Sequence, residues 1–490
     1  MRILKLMLVI LLASGASQAQ SFVKRSGTHL TLDGSPFRYS GPNIEWLGLE
    51  AYGPHDPAGP RYPSRFEIDD AFDTAAEMGA KVVRAQTIGD TVGCPLCIEP
   101  EQGKVNEAAF QSSDYAVTVA AKHHMRLIIP LVGDCATCVA GGIGQYLAWN
   151  GQSNLQAFFT DPVIIAAYER HIDAVLNHRN AITGVRYRDD PAIMAWENCN
   201  MCGLLAVFSH GDLAEVSAWS ETIGAHIKQL DPHHLYLDTT GIFRGYPKIL
   251  DNPSTDLVSF EEYPHWDLLL GPNQPPTTAT TFSRDAAAVT SHGRVFIVNE
   301  FGWDRTDWKT TADLQHVLDT VAQDSNISGD DFWALQSHLD NFGFQPIPAD
   351  CHDAAYAEKG ECGEWWAVYY PGRKTLVMSA EDMASRVQQL RTHAYVMAGV
   401  TVPKHAVPPA PVITSTVFGG LVAWRGSAGA VRYSIERLDP SSRQWQTVCD
   451  KCATDSDAPW ADPHPIFFGV QYRVTAFNAD NAPSVPSQPR

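Results

Sequence analysis

The sequence predicts an α/β protein, a closed eight-stranded parallel (β/α)8 barrel followed by a small β-sandwich, and three observations lead there. Eight short apolar, β-rich runs alternate with longer stretches of helical spacing between about residues 35 and 400. No Gly-x-Gly-x-x-Gly follows the first of them, which disfavours an open dinucleotide-binding sheet. A proline-rich stretch then ends the pattern, and strict period-two alternation replaces it.

The eight runs fall at residues 37–44, 81–86, 126–132, 193–197, 235–240, 257–263, 295–300 and 331–336. Between them, residues 67–78, 108–122, 162–177 and 213–229 repeat apolar side chains at three and four, the period of a helix with one buried face. Strands that alternate with helices pair in parallel and have both faces covered. Eight such units in one chain favour a TIM barrel with long loops.

The flanks have their own character. Met1-Arg-Ile-Leu-Lys-Leu-Met-Leu-Val-Ile-Leu-Leu-Ala13 is a basic start followed by an apolar run, ending at small residues near Ala19, and reads as a signal peptide over residues 1–19. The expected location is therefore outside the cytoplasm, extracellular or periplasmic, with no membrane span. Residues 20–402 form the barrel domain, and residues 403–411, rich in proline, a stiff linker. In residues 412–490, Val431-Arg-Tyr-Ser-Ile-Glu-Arg and Val470-Gln-Tyr-Arg-Val-Thr-Ala-Phe-Asn alternate as sandwich strands do. The last of these, with Tyr472 and Asn478, resembles a fibronectin type III strand.

Charge narrows the partners. Lys and Arg number 36 against 55 Asp and Glu, a net charge of −19, which repels nucleic acid and anionic membranes. A neutral polymer suits such a surface, and a monomer is expected. Of the ten cysteines, eight form the Cys-x-x-Cys pairs 94/97, 135/138, 199/202 and 449/452. In an exported chain these read as structural disulfides, with zinc and redox chemistry as open alternatives. Cys351 and Cys362 would close one loop. No cofactor and no metal is called for.

Chemistry in such a barrel sits at the C-terminal ends of the strands. Arg84, Asn200, Tyr263, Glu300 and Trp333 stand there, where a buried strand has no other use for them. Glu300 ends the apolar run Ile297-Val-Asn-Glu-Phe-Gly-Trp303, and an ionised carboxylate in that place must be paired or used. Arg84 is its expected partner. Trp333 offers a flat face for a sugar ring, and Trp303 a further contact.

Several stretches in order resemble glycoside hydrolase family 5 of clan A, of the endo-β-1,4-mannanase type. Ser26-Gly-Thr-His-Leu-Thr-Leu-Asp-Gly-Ser-Pro-Phe-Arg-Tyr-Ser-Gly-Pro-Asn43 is similar to the family's opening strands and Val82-Val-Arg84 to its second. Leu127-Ile-Ile-Pro-Leu-Val132 with Gly141-Gly-Ile-Gly-Gln-Tyr-Leu-Ala-Trp149 is similar to its third, and Asp190-Pro-Ala-Ile-Met-Ala-Trp-Glu197 to its fourth. The resemblance implies a secreted hydrolase of β-linked polysaccharide or oligosaccharide. It makes Glu300 the nucleophile, oriented by Arg84, with Asn200, Tyr263 and Trp333 as substrate contacts.

One position departs from the family. Where the family's fourth strand ends Trp-Glu-x-x-Asn-Glu, with the last Glu as acid/base, this chain reads Trp196-Glu-Asn-Cys-Asn-Met201. A thioether donates no proton, and general acid help is commonly worth about 10²–10⁴-fold. New carboxyls stand nearby: Glu261-Glu-Tyr263 replaces His-x-Tyr, and Gly133-Asp134-Cys135 replaces Asn-Asn-Trp. Strand alternation puts Glu261 on the face of Tyr263, so Glu261 is the expected relocated acid and Asp134 the next candidate. The competing expectation is a catalytically silent sugar-binding protein that kept the cleft and lost its acid.

Overall fold

The computed structural model describes residues 21–50, 59–133, 141–200, 202, 213–240, 248–261, 279–303, 311–345, 367–375, 377–417, 420–455, 458–466 and 469–490. The expected leader, Asp134, Met201, Tyr263, the Cys135/Cys138 pair and the Cys351/Cys362 pair lie outside these residues.

Eight parallel strands form one sheet: β1 Tyr39–Pro42, β2 Val82–Arg84, β3 Arg126–Pro130, β4 Ile193–Glu197, β5 Leu235–Asp238, β6 Leu257–Ser259, β7 Val295–Phe301 and β8 Ile327–Phe332. Each pairs with its neighbour in sequence, and β8 pairs with β1. Closure comes between β1 and β2, where the Ile44 N–H donates to the Arg84 carbonyl at 2.9 Å. The sheet is a barrel because its two edges meet, leaving no unpaired strand.

Two apolar clusters hold it. The interior is filled by Tyr39, Val82, Ile128, Met194, Leu237, Leu257, Val295 and Ile297, and a hairpin of Lys24–Ser26 and His29–Leu32 inserts Val23 and Leu30 against them. That hairpin covers the N-terminal end, since Arg25 bonds Gly293 and Asp256, just before β7 and β6. The second cluster lies between strands and outer helices, with Phe72, Val117, Tyr168, Trp219 and Leu314 among its members.

The helices follow the expected periods closely, at Arg65–Glu77 (α1), Phe110–Lys122, Pro162–Asn177 and Leu213–Leu230. At the start of α1, Ser64 accepts from the Glu67 N–H at 3.2 Å and Glu67 accepts from the Ser64 N–H at 2.7 Å, a reciprocal cap.

The eighth strand corrects the sequence. It runs Ile327–Phe332, earlier than the expected 331–336, and Leu335–Gln336 instead pairs with Val368–Tyr369. The misleading residues are Asp330 and Asp331, which look like turn residues. Both are buried inside the strand, because Ser40 donates to Asp330 at 2.6 Å, His393 meets it at 2.8 Å, and the Tyr39 hydroxyl donates to Asp331 at 3.1 Å.

Beyond the barrel, two three-stranded antiparallel sheets face each other as a β-sandwich. One holds Val412–Val417, Leu421–Arg425 and Trp460–Ala461; the other holds Trp445–Ala453, Arg432–Leu438 and Gln471–Phe477. Ile413, Val422, Tyr433, Ile435, Tyr472 and Val474 fill the space between them. The linker is extended but not free, because Glu77 of α1 accepts from the Ala406 N–H at 2.9 Å and Asn478 donates to the Ala406 carbonyl at 2.9 Å.

The sandwich itself is docked on the barrel. His338, six residues past β8, lies between Asp70 of α1 at 2.9 Å and Asp455 of the sandwich at 3.2 Å. Beside it, Arg425 pairs with Asp340 at 2.7 Å and Thr414 donates to the Asn341 carbonyl at 2.6 Å.

Candidate active site

The strand ends converge on Arg84, at the end of β2 and 0% exposed. Its Nε and Nη2 donate to the two carboxylate oxygens of Glu197 at 2.6 Å each, a bidentate fork across to β4. Nη2 also donates to Asn200 Oδ1 at 2.6 Å, and Nη1 to Asn43 Oδ1 at 3.0 Å and to Glu300. The five donors of a guanidinium are therefore shared among the ends of three other strands, β1, β4 and β7, an arrangement a lysine ammonium has too few directions to reproduce.

Electrostatics follow from this. Burial alone would weaken the Arg84 charge, yet Glu197, Glu300 and Glu261 outweigh it and hold the guanidinium firmly protonated. Burial pushes the Glu197 carboxyl up, and Arg84 opposes that shift by charge and hydrogen bond. A buried pair of this kind costs about 3–5 kcal/mol to break by removing one member, because the other charge is left stranded.

Glu300 reaches Arg84 through a strand irregularity. Alternation along β7 sends Phe296 and Val298 to the outer cluster and Val295 and Ile297 to the interior, and it would send Glu300 outward too. The pairing of β7 with β8 shifts register between Val298 and Phe301. That shift lets Glu300 join Arg84 while Phe301 packs outside. Bulges beside active sites re-aim side chains in this way.

Other expected residues divide into three groups. Asn200 is placed at the centre, its N–H donating to the Val132 carbonyl at 2.8 Å, and Glu261 is 6% exposed with its charge acting on Arg84. Trp333 is half-buried directly after β8, and its N–H donates to the Phe301 carbonyl at 2.9 Å. Trp303 is 1% exposed, with the Arg386 guanidinium 4.9 Å from its ring centre. Tyr263, Asp134 and Met201 fall outside the described residues.

The sequence reading missed Asn43, Glu45 and Gln336. Asn43 ties the site together, accepting from Arg84 and from Gln86 Nε2 at 3.1 Å and donating to the Asn299 carbonyl at 2.9 Å. Its position at the end of β1 was the available signal. Glu45 lies two residues further on, and Gln336 Nε2 donates to its Oε1 at 3.3 Å. Among the described residues its other oxygen, Oε2, is buried and has no hydrogen-bond partner.

The rim cysteines pair locally where described, Cys94 with Cys97 after β2 and Cys199 with Cys202 after β4; Cys449 and Cys452 pair in the sandwich. Among the described residues, no group of three or more His, Cys, Asp or Glu is arranged to hold a metal ion, and no helix is long and apolar enough to cross a membrane.

The sequence is similar to known proteins over just under half of its length. Mannan endo-1,4-beta-mannosidase 1 of Oryza sativa is 32% identical over 242 residues, 46% of this chain and 52% of the relative; mannan endo-1,4-beta-mannosidase 7 of Arabidopsis thaliana is 33% identical over 231 residues, 46% of this chain and 50% of the relative. The chain thus spans about half the length of the curated relatives it matches. The endo-1,4-beta-mannanase of Rhizomucor miehei shares the fold, with a TM-score of 0.59 at 22% identity, covering 77% of this chain and 100% of that one. A family model, glycoside hydrolase family 5 β-mannosidase-like, matches residues 20–243, which include Arg84, Glu197 and Asn200 and stop short of Glu300. Residues 20–243 are therefore similar to glycoside hydrolase family 5 proteins of the β-mannosidase-like kind.

Proposed function

We propose that this protein is an exported glycoside hydrolase that cleaves a β-linked polysaccharide or oligosaccharide, with β-1,4-mannan as the first substrate to test. The observation that carries this reading is the Arg84 hub, which holds Glu300 at the mouth of the barrel beside Asn200. In the reaction the Glu300 carboxylate attacks the anomeric carbon, the glycosidic bond breaks, and water later releases the sugar from the ester. Arg84 orients the nucleophile, Asn200 and Tyr263 contact the sugar, and Trp333 stacks beneath it. Trp303, packed against Arg386, shapes the floor. With Met201 in the usual donor place, the proton comes from a carboxyl elsewhere on the rim, and the strand pattern favours Glu261 with Asp134 next. The sandwich is fibronectin type III-like, and the apolar leader directs export.

The test is a product assay of the mature protein on β-1,4-mannan, β-glucans and unrelated glycans, repeated with Glu300→Gln. Hydrolysis of one β-linked substrate is expected, falling by roughly 10³-fold or more in the variant. A variant that keeps the parent's rate removes Glu300 from the mechanism. The second reading, a silent sugar-binding protein, is favoured by Met201. An inert parent that gains hydrolysis on Met201→Glu would establish it.

A further inference from the structure

Retaining glycosidases need two carboxyls in opposite states, one ionised to attack and one neutral to donate a proton, and environment is what separates them. Arg84 favours the ionised form of the carboxyls it acts on, Glu197, Glu300, Glu261 and Asp331 among them, while Glu45 is not one of them. Glu261, the choice of the strand pattern, thus shares a cation with the nucleophile.

Glu45 stands outside that field but inside the site. Asn43, two residues before it, is bonded both to Arg84 and to the backbone of Asn299, the residue preceding Glu300. The loop is held on its other side, where the Thr87 N–H donates to the Glu45 carbonyl at 3.0 Å and the Thr87 hydroxyl donates at 2.5 Å. The carboxyl is fixed by Gln336, whose amide donates to Oε1 at 3.3 Å. A neutral carboxylic acid that accepts at its carbonyl oxygen carries its proton on the other, and that other oxygen, Oε2, is buried with no partner among the described residues.

We infer that Glu45 is the proton donor of this site, occupying the chemical place that Met201 has vacated. This rests on the hydrolase reading above. In the first step Glu300 forms a bond to the anomeric carbon, the glycosidic C–O bond breaks, and the Glu45 Oε2 proton moves to the leaving oxygen. In the second, ionised Glu45 takes a proton from water, the water oxygen bonds to the anomeric carbon, and the Glu300 ester bond breaks, restoring both groups.

Electrostatics agree with the geometry. Burial pushes the Glu45 carboxyl up to about 7, and the Glu300 charge raises it further against the Gln336 bond. Among the described residues, Glu300 is the charged group acting on it, since Thr87 and Gln336 are neutral.

The experiment compares Glu45→Gln and Glu261→Gln in the full mature chain, on the natural polymer and on a dinitrophenyl β-glycoside whose leaving group needs no proton. For Glu45→Gln the expected result is a loss of about 10²–10⁴-fold on the polymer and loss of the alkaline limb near pH 7. On the activated substrate an initial burst survives, and added azide restores turnover as glycosyl azide. A merely structural role would give neither burst nor azide rescue. Unchanged rates in Glu45→Gln, or azide rescue in Glu261→Gln instead, overturn the assignment while leaving the hydrolase reading intact. A wild-type protein inert on every substrate overturns both.

Discussion

His338 joins the barrel to the sandwich, and the strength of that joint can be worked out from its surroundings. The ring is buried, with Nδ1 2.9 Å from Asp70 and Nε2 3.2 Å from Asp455, so both nitrogens carry protons and the imidazole is charged. Burial works against that charge, but the two carboxylates outweigh it and push the group up to about 10 from 6.5. At about 1.4 kcal/mol per unit the charged clasp is worth on the order of 5 kcal/mol, shared between two carboxylates. Asp455→Asn should therefore cost about 2 kcal/mol at pH 7, and His338→Gln more. The folded value is raised, so the contribution is complete below pH 6.5 and disappears as pH rises through about 10. Urea unfolding of wild type, both single variants and the double variant gives a coupling energy directly. A coupling under about 0.5 kcal/mol, or a wild-type advantage that stays constant from pH 6 to pH 10.5, would refute the reasoning.

Two further predictions test the frame around the site. Arg84→Lys keeps a charge but loses the fork to Glu197, so the rate on any substrate the parent cleaves should fall at least about tenfold, with unfolding free energy lower by about 3 kcal/mol; a variant with parental kinetics would remove Arg84 from its orienting role. Gly426→Ala would bring a Cβ to 2.0 Å from the His338 ring, which its two carboxylates hold in place. A loss of about 1–3 kcal/mol in the same urea transition is expected, and no loss would mean that the sandwich is not seated on that ring.

The barrel was legible because strands covered on both faces are written as continuous apolar runs. Where a strand carries charge that reading failed, as at Asp330, whose partners are Ser40 and His393, and at Asp331, whose partner is Tyr39, all far away in sequence. Glu300 and Arg84 were visible because each interrupts or ends such a run. Glu45 was not, since nothing local marks it; its burial depends on Thr87 and on Gln336, 291 residues away. Periodicity records the faces of single elements, whereas this carboxyl's state is set by three loops meeting.

The same long-range meeting alters what the C-terminal domain does. A proline-rich linker alone suggests a stiff spacer with the sandwich held at a distance. Here the linker is bonded to α1, and the sandwich grips residues 338–341. The stretch leading into that segment begins with Trp333 and includes Gln336, whose amide donates to Glu45. Because β8 ends at Phe332, the stretch from Trp333, the proposed sugar platform, to the His338 clasp follows the strand end beside the proposed site and is anchored at its far side by a second domain. A loop of that length ordinarily samples many conformations, and ordering it on substrate binding would cost entropy at each fixed residue. Docking the sandwich settles that cost during folding, so Trp333 and the Gln336 amide are already in place for the proposed substrate.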